Sequence, residues 1–154
     1  MDGWNANEFT LSFEHYTLEG RTSAINVILQ IDNGSNLGSR GLKFWDWDGS
    51  DSRLLNCYDI NGNKKVTLYA SQSIGFPSQN VFAKVAITFK DGNLRYYVAG
   101  NLASEYTGGD IAIPESAFLR LFGYRANETG FKDVTIIPKA LTEDECLALT
   151  SGGV

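Results

Sequence analysis

Two tryptophans spaced two apart, Trp45 and Trp47, stand in the run Leu42-Lys43-Phe44-Trp45-Asp46-Trp47-Asp48-Gly49-Ser50-Asp51. Side chains two residues apart on an extended chain share one face. Both indoles therefore line one side of a predicted strand, and Leu42 and Phe44 line the other. A flat aromatic surface beside carboxylates suits a sugar ring, whose C–H face stacks on the indoles while its hydroxyls bond at the rim. Asp48 and Asp51 supply such a rim, and Tyr58 and Tyr69 extend the platform if their strands lie beside this one. The competing use of exposed aromatics is contact with another subunit.

Other chemistries are poorly served. The run Asp46 to Asp51 offers the hard oxygen ligands that calcium prefers, but its spacing is not that of an EF-hand loop and the distal bidentate glutamate is missing. A solvated turn is the expectation, calcium the weaker alternative, and no other cofactor is expected. His15 is the only histidine, so any Ser-His-Asp triad, Cys-His pair or multi-histidine metal site would have to be built on it. It is read as a surface residue at a strand end. The acidic triplet Glu143-Asp144-Glu145 opens a helix, where negative charge complements the macrodipole. No glycine-rich phosphate loop occurs. Cys57 and Cys146 are expected to be two buried thiols.

A chain of 154 residues with 43% hydrophobic and 20% charged residues fits one domain spanning 1–154 with a core of its own. Its net charge of -5 argues against a nucleic-acid backbone as partner, which demands clustered basic residues. No apolar run reaches membrane-spanning length, and Met1-Asp2-Gly3-Trp4-Asn5 has neither a basic n-region nor an apolar h-region, so no secretion signal is visible.

The elements that would position these residues follow a period of two. Phe9, Leu11 and Phe13 form one inward row; Ile25, Val27, Leu29 and Ile31 form another, closed by the turn Asp32-Asn33-Gly34-Ser35-Asn36. Cys57 falls in a strand region. Val66, Leu68 and Ala70 alternate with Thr67 and Tyr69 after Asn61-Gly62-Asn63. The stretch from Val81 to Tyr106 reads as a meander: Val85, Ile87 and Phe89, the turn Asp91-Gly92-Asn93, then Leu94, Tyr96 and Val98, a second reversal at Gly100-Asn101, and a third strand from Leu102 to Tyr106. Leu119 and Leu121 alternate with Arg120, and a last strand runs from Asp133 to Ile137. Thr142-Glu143-Asp144-Glu145 is a capping box, and Gly152-Gly153 stop the helix it opens. Many short strands with one terminal helix predict an all-β fold, a two-sheet antiparallel β-sandwich of the jelly-roll kind.

The meander, with its strand ending in Thr88-Phe89 and its run Leu94 to Leu102, resembles laminin-G-like, concanavalin A-like jelly rolls. Ala99 stands where that family usually carries Asn before glycine. Glu8 to Phe13 resembles the opening strand, and Phe131 to Val134 with Lys139 to Thr142 the closing strand and its helical turn. The resemblance implies a ligand face on the outside of one sheet. Glycanases of similar fold carry acids as E-x-D-x-x-E along one strand, as glycoside hydrolysis requires, and no such strand occurs here. The chain is therefore read as a non-catalytic carbohydrate-binding or adhesion module, similar to modules of phage tail fibres, receptor-binding proteins and virion decorations. The expected partners are a cell-surface glycan or polysaccharide and other virion proteins, with a homo-oligomer possible in such an assembly. The alternatives are a structural virion domain that binds no sugar and, behind it, a polysaccharide hydrolase or lyase. The expected location is a virion surface or the cell exterior.

Overall fold

The period-two segments become strands in the computed structural model, which describes residues 5–17, 25–32, 41–47, 52–70, 82–115, 117–121 and 129–152. The strands are β1 (Glu8–Thr17), β2 (Ile25–Asp32), β3 (Leu42–Trp47), β4 (Ser52–Tyr58), β5 (Lys64–Ala70), β6 (Ala83–Lys90), β7 (Asn93–Val98), β8 (Asn101–Tyr106), β9 (Phe118–Leu121) and β10 (Thr129–Ile137), followed by the helix α1 (Glu143–Thr150). They pair in two five-stranded antiparallel sheets, β10-β1-β6-β7-β8 and β5-β4-β3-β2-β9. This is the two-sheet sandwich with a short terminal helix that the alternation predicts.

The inward rows meet between the sheets. Phe9, Leu11, Phe13, Ile87 and Tyr96 from the first sheet are buried against Leu29, Leu42, Phe44 and Leu55 from the second. Phe13 and Phe44 touch edge to face at 5.2 Å, and Phe44 meets Tyr96 in the same way at 6.1 Å. Such pairs add to the stabilisation from buried area alone. Cys57 lies in this core and Cys146 on the buried side of α1, both as free thiols. Burial drives the Cys57 thiol far above its ordinary pKa. Burial, then the charge of Glu145, pushes Cys146 up to about 11.

His15 corrects the sequence reading. It is only 1% exposed, with its ring 5.5 Å from Phe44 and 5.4 Å from Phe131. The reason is parity: β1 keeps its alternation unbroken against β6, so the row Phe9, Leu11, Phe13 continues inward to residue 15. The irregularity sits on β10 instead. Ser12 pairs with Thr135 and Glu14 with Lys132, so Asp133 and Val134 together oppose Phe13. Asp133 adopts φ 54 there, the geometry of a β-bulge. The bulge also explains why alternation hid the first half of β10, since Phe131 and Val134 both pack on the core although they are three apart. A register shift in β2 acts likewise, with Val27 opposite Trp45 but Leu29 opposite Phe44.

Both meander turns are two-residue hairpin loops with positive φ at each position: Asp91 (48) with Gly92 (77), and Ala99 (47) with Gly100 (78). The following asparagines fold back alike, Asn93 Nδ2 donating to the Asp91 carbonyl and Asn101 Nδ2 to the Ala99 carbonyl. Alanine is the wrong residue for a left-handed backbone, which costs an ordinary side chain roughly 1–2 kcal/mol but asparagine or glycine less. Ala99→Asn is expected to raise stability by about 1 kcal/mol, or roughly 2–4 °C in Tm. Urea denaturation with an unchanged m-value checks it.

The helix lies on the outside of the first sheet, where Cys146 packs with Ala86 and Tyr97, flanked by Leu102, Leu141, Leu147 and Leu149. Thr142 caps it, accepting from the Glu145 N–H, while Glu145 Oε2 accepts from the Thr142 N–H at 2.7 Å. The outer face of the second sheet has no helix on it among the described residues.

Candidate functional site

Register places the outward side chains of the second sheet in rows. One row is Gln30, Lys43, Asn56 and Thr67, running from β2 to β5, and Arg120 on β9 extends it. The adjacent row holds the positions Val27, Trp45, Leu54 and Tyr69. Inward rows such as Leu29, Phe44, Leu55 and Leu68 lie on the opposite side of the same strands, as a period of two requires.

Tyr69, the penultimate residue of the edge strand β5, is 52% exposed, a large ring turned to solvent on the outer face. Beside it, Thr67 Oγ1 donates to Asn56 Oδ1 at 2.7 Å. That bond fixes the amide and leaves the Asn56 Nδ2 group to donate elsewhere. The face thus joins an exposed aromatic ring to an oriented amide and hydroxyl. At the other end of the sheet Arg120 donates to the buried carboxylate of Asp32 at 2.6 Å. On the β5 edge Lys65 meets Asp110 at 2.7 Å, and Tyr106 also donates to Asp110. These contacts hold the Asp110 carboxyl below its ordinary range, Lys65 first and Tyr106 second, and raise Lys65 in turn.

The residues singled out in the sequence are distributed as follows. The backbones of Trp45 and Trp47 lie in β3, with Trp45 two strands from Tyr69 in one row, a span of about 9.5 Å at the usual strand spacing. Their side chains, and Asp48 and Asp51 altogether, lie outside the described residues, as does most of the calcium candidate. Tyr58 closes β4 and is buried, with the Lys43 ammonium 5.4 Å from its ring centroid. It gives Lys43 a cation–π partner rather than a ligand a surface. Asn56 and Thr67 were not singled out, because single polar residues on a strand carry no signal until cross-strand register makes them neighbours.

No group of three or more His, Cys, Asp or Glu side chains that could hold a metal occurs among the described residues. No helix there is long and apolar enough to cross a membrane.

A family model described as the concanavalin A-like lectin/glucanases superfamily matches residues 2–146. No curated protein matches in sequence. Solved structures match in fold. The botulinum neurotoxin serotype D binding domain superposes with a TM-score of 0.72 at 15% identity, over 94% of this chain and 37% of that one. The serotype D ligand-binding domain in complex with N-acetylneuraminic acid gives 0.73 at 15% identity, over 96% and 37%. The serotype G binding domain gives 0.71 at 17%, over 94% and 36%. The chain thus spans little more than a third of these binding domains.

Proposed function

Because the chain belongs to the concanavalin A-like lectin/glucanase superfamily, we propose that it is a non-catalytic carbohydrate-binding module that holds a surface glycan on the outer face of its second sheet. The observation that carries this is Tyr69, half exposed near the end of the edge strand β5, in the row of Trp45 and beside the Asn56–Thr67 pair. A sugar ring has an apolar C–H face and a polar edge, and such a surface meets both. The toxin binding domain solved with N-acetylneuraminic acid supports a glycan partner for this fold. The context is that of an adhesion or receptor-binding part of a larger assembly, such as a phage virion.

The test is a glycan array on the full chain. Tyr69→Ala and Trp45→Ala are each expected to weaken binding about tenfold and the double variant about a hundredfold, since truncating a stacking aromatic at a binding centre costs roughly 1–2 kcal/mol. Unchanged binding by the double variant removes the face from consideration. A second reading is favoured by Leu121, 49% exposed on the edge strand β9: the face docks on protein, either a second copy or a neighbour in the assembly. Light scattering separates the two, because a stable oligomer that dissociates in Tyr69→Ala and binds no glycan supports protein contact.

A further inference from the structure

We propose that the first sheet carries a second ligand site, a cavity of about 520 Å3 that takes a neutral sugar ring. It goes beyond the Tyr69 face and stands without it, since the two lie on opposite sheets. The cavity is bounded by the β6–β7 hairpin, by Tyr106 and Thr107 at the end of β8, and by Ala140 and Leu141 ahead of α1. Its volume is within the range of small-molecule sites.

The site arises where the helix stops short. Register sets Thr10, Thr88, Arg95 and Glu105 in one outward row across β1, β6, β7 and β8. The next row, through Ala86 and Tyr97, is covered by α1. Because α1 begins only at Glu143, the polar row remains open above Thr88 and Arg95.

Each wall is fixed by contacts between distant parts of the chain. The hydroxyl of Thr10 donates to the Lys139 carbonyl at 2.8 Å and accepts from the Leu141 N–H at 2.9 Å. The Ala140 N–H donates to Glu8 Oε1 at 3.2 Å. The Ile111 N–H donates to the Gly92 carbonyl, tying the segment after Thr107 to the hairpin. A site preassembled in this way loses little conformational freedom when occupied.

The charges decide the ligand class. Lys90 and Arg95 line the cavity, but so does Asp91. Lys90 is 3.6 Å from Glu8, and Arg95 Nε donates to Glu105 at 3.3 Å. No surplus cation awaits a phosphate or a carboxylate. Arg95 also reaches the Tyr97 hydroxyl, but its five N–H donors outnumber these two partners, while Asn93, Thr88 and Thr107 add donors and acceptors and Leu141 adds an apolar wall. Hydroxyls that both donate and accept, set around a C–H face, match this mixture, and an acidic sugar would be repelled by Asp91 and Glu105.

Chemical-shift mapping of the full chain with glucose, galactose, mannose, N-acetylglucosamine and their β-linked disaccharides tests the proposal. At least one of these is expected to move the amides of Asn93, Thr107 and Leu141. Arg95→Gln should weaken that binding about tenfold, and Thr107→Trp, which fills the cavity from an exposed position, should abolish it. Tyr69→Ala should leave it unchanged, so failure of one site is distinguishable from failure of the other. The proposal is overturned if none of the neutral sugars moves these amides. It is equally overturned if the shifts persist in Thr107→Trp, or if only a uronic or sialic acid produces them and salt removes them.

Discussion

Phe13→Ala is expected to lower the unfolding free energy by about 3–5 kcal/mol, the usual cost of removing a buried aromatic ring, and Tm by roughly 10–15 °C for a domain of this size. Phe13 is a joint between the two sheets. It stacks edge to face on Phe44 of the second sheet and lies 5.5 Å from Phe131 on its own. It also sits opposite the Asp133 bulge, where the strand cannot slide to fill a void without losing its register. Phe13→Leu keeps most of the volume and is expected to cost much less. Urea melts of both variants check this, and equal losses would mean that the void is not what matters.

Gly92→Ala is expected to cost about 2–4 kcal/mol, although it adds one methyl group to a hairpin tip. A Cβ at Gly92 would lie 2.3 Å from the Gly109 carbonyl oxygen and 2.9 Å from the Asp110 nitrogen, and the backbone φ is +77. Both neighbours are main chain and cannot rotate away. The displaced segment carries Asp110, so the ion pair to Lys65 and the bond from Tyr106 loosen with it. Gly152 is the control: its φ is +89 but nothing lies within 4 Å of the added atom. Gly152→Ala meets only the backbone term, about 1 kcal/mol. Thermal denaturation of the pair separates close approach from conformational strain.

The sandwich was legible because its strands alternate, and the helix because Thr142 and Glu145 stand at capping-box spacing. The start of β10 was misread at Asp133 because a bulge adds a residue to one strand only, and a single chain read alone shows no partner against which to count. His15 was placed outside because a polar residue near a strand end suggests solvent, whereas parity with Phe13 outweighed its polarity. The Tyr69 face was half visible, through its aromatics. Its Asn56–Thr67 pair depends on the register of β4 against β5, and the cavity on Leu141 returning to Thr10, which no local pattern encodes.

The position of β1 in its sheet governs how the molecule is made. It is flanked by β6 and β10, so its hydrogen-bonding edges stay vacant until chain some seventy to one hundred and twenty residues later has left the ribosome. Such non-local pairing places the domain among slow folders, in the millisecond-to-second range. The meander β6 to β8, whose contacts are short-range, is the natural nucleus, and the earliest strand synthesised is among the last to be locked. A nascent chain released before β10 emerges would leave β1 paired with β6 on one side and open along its other edge, making truncated products the species most prone to aggregate.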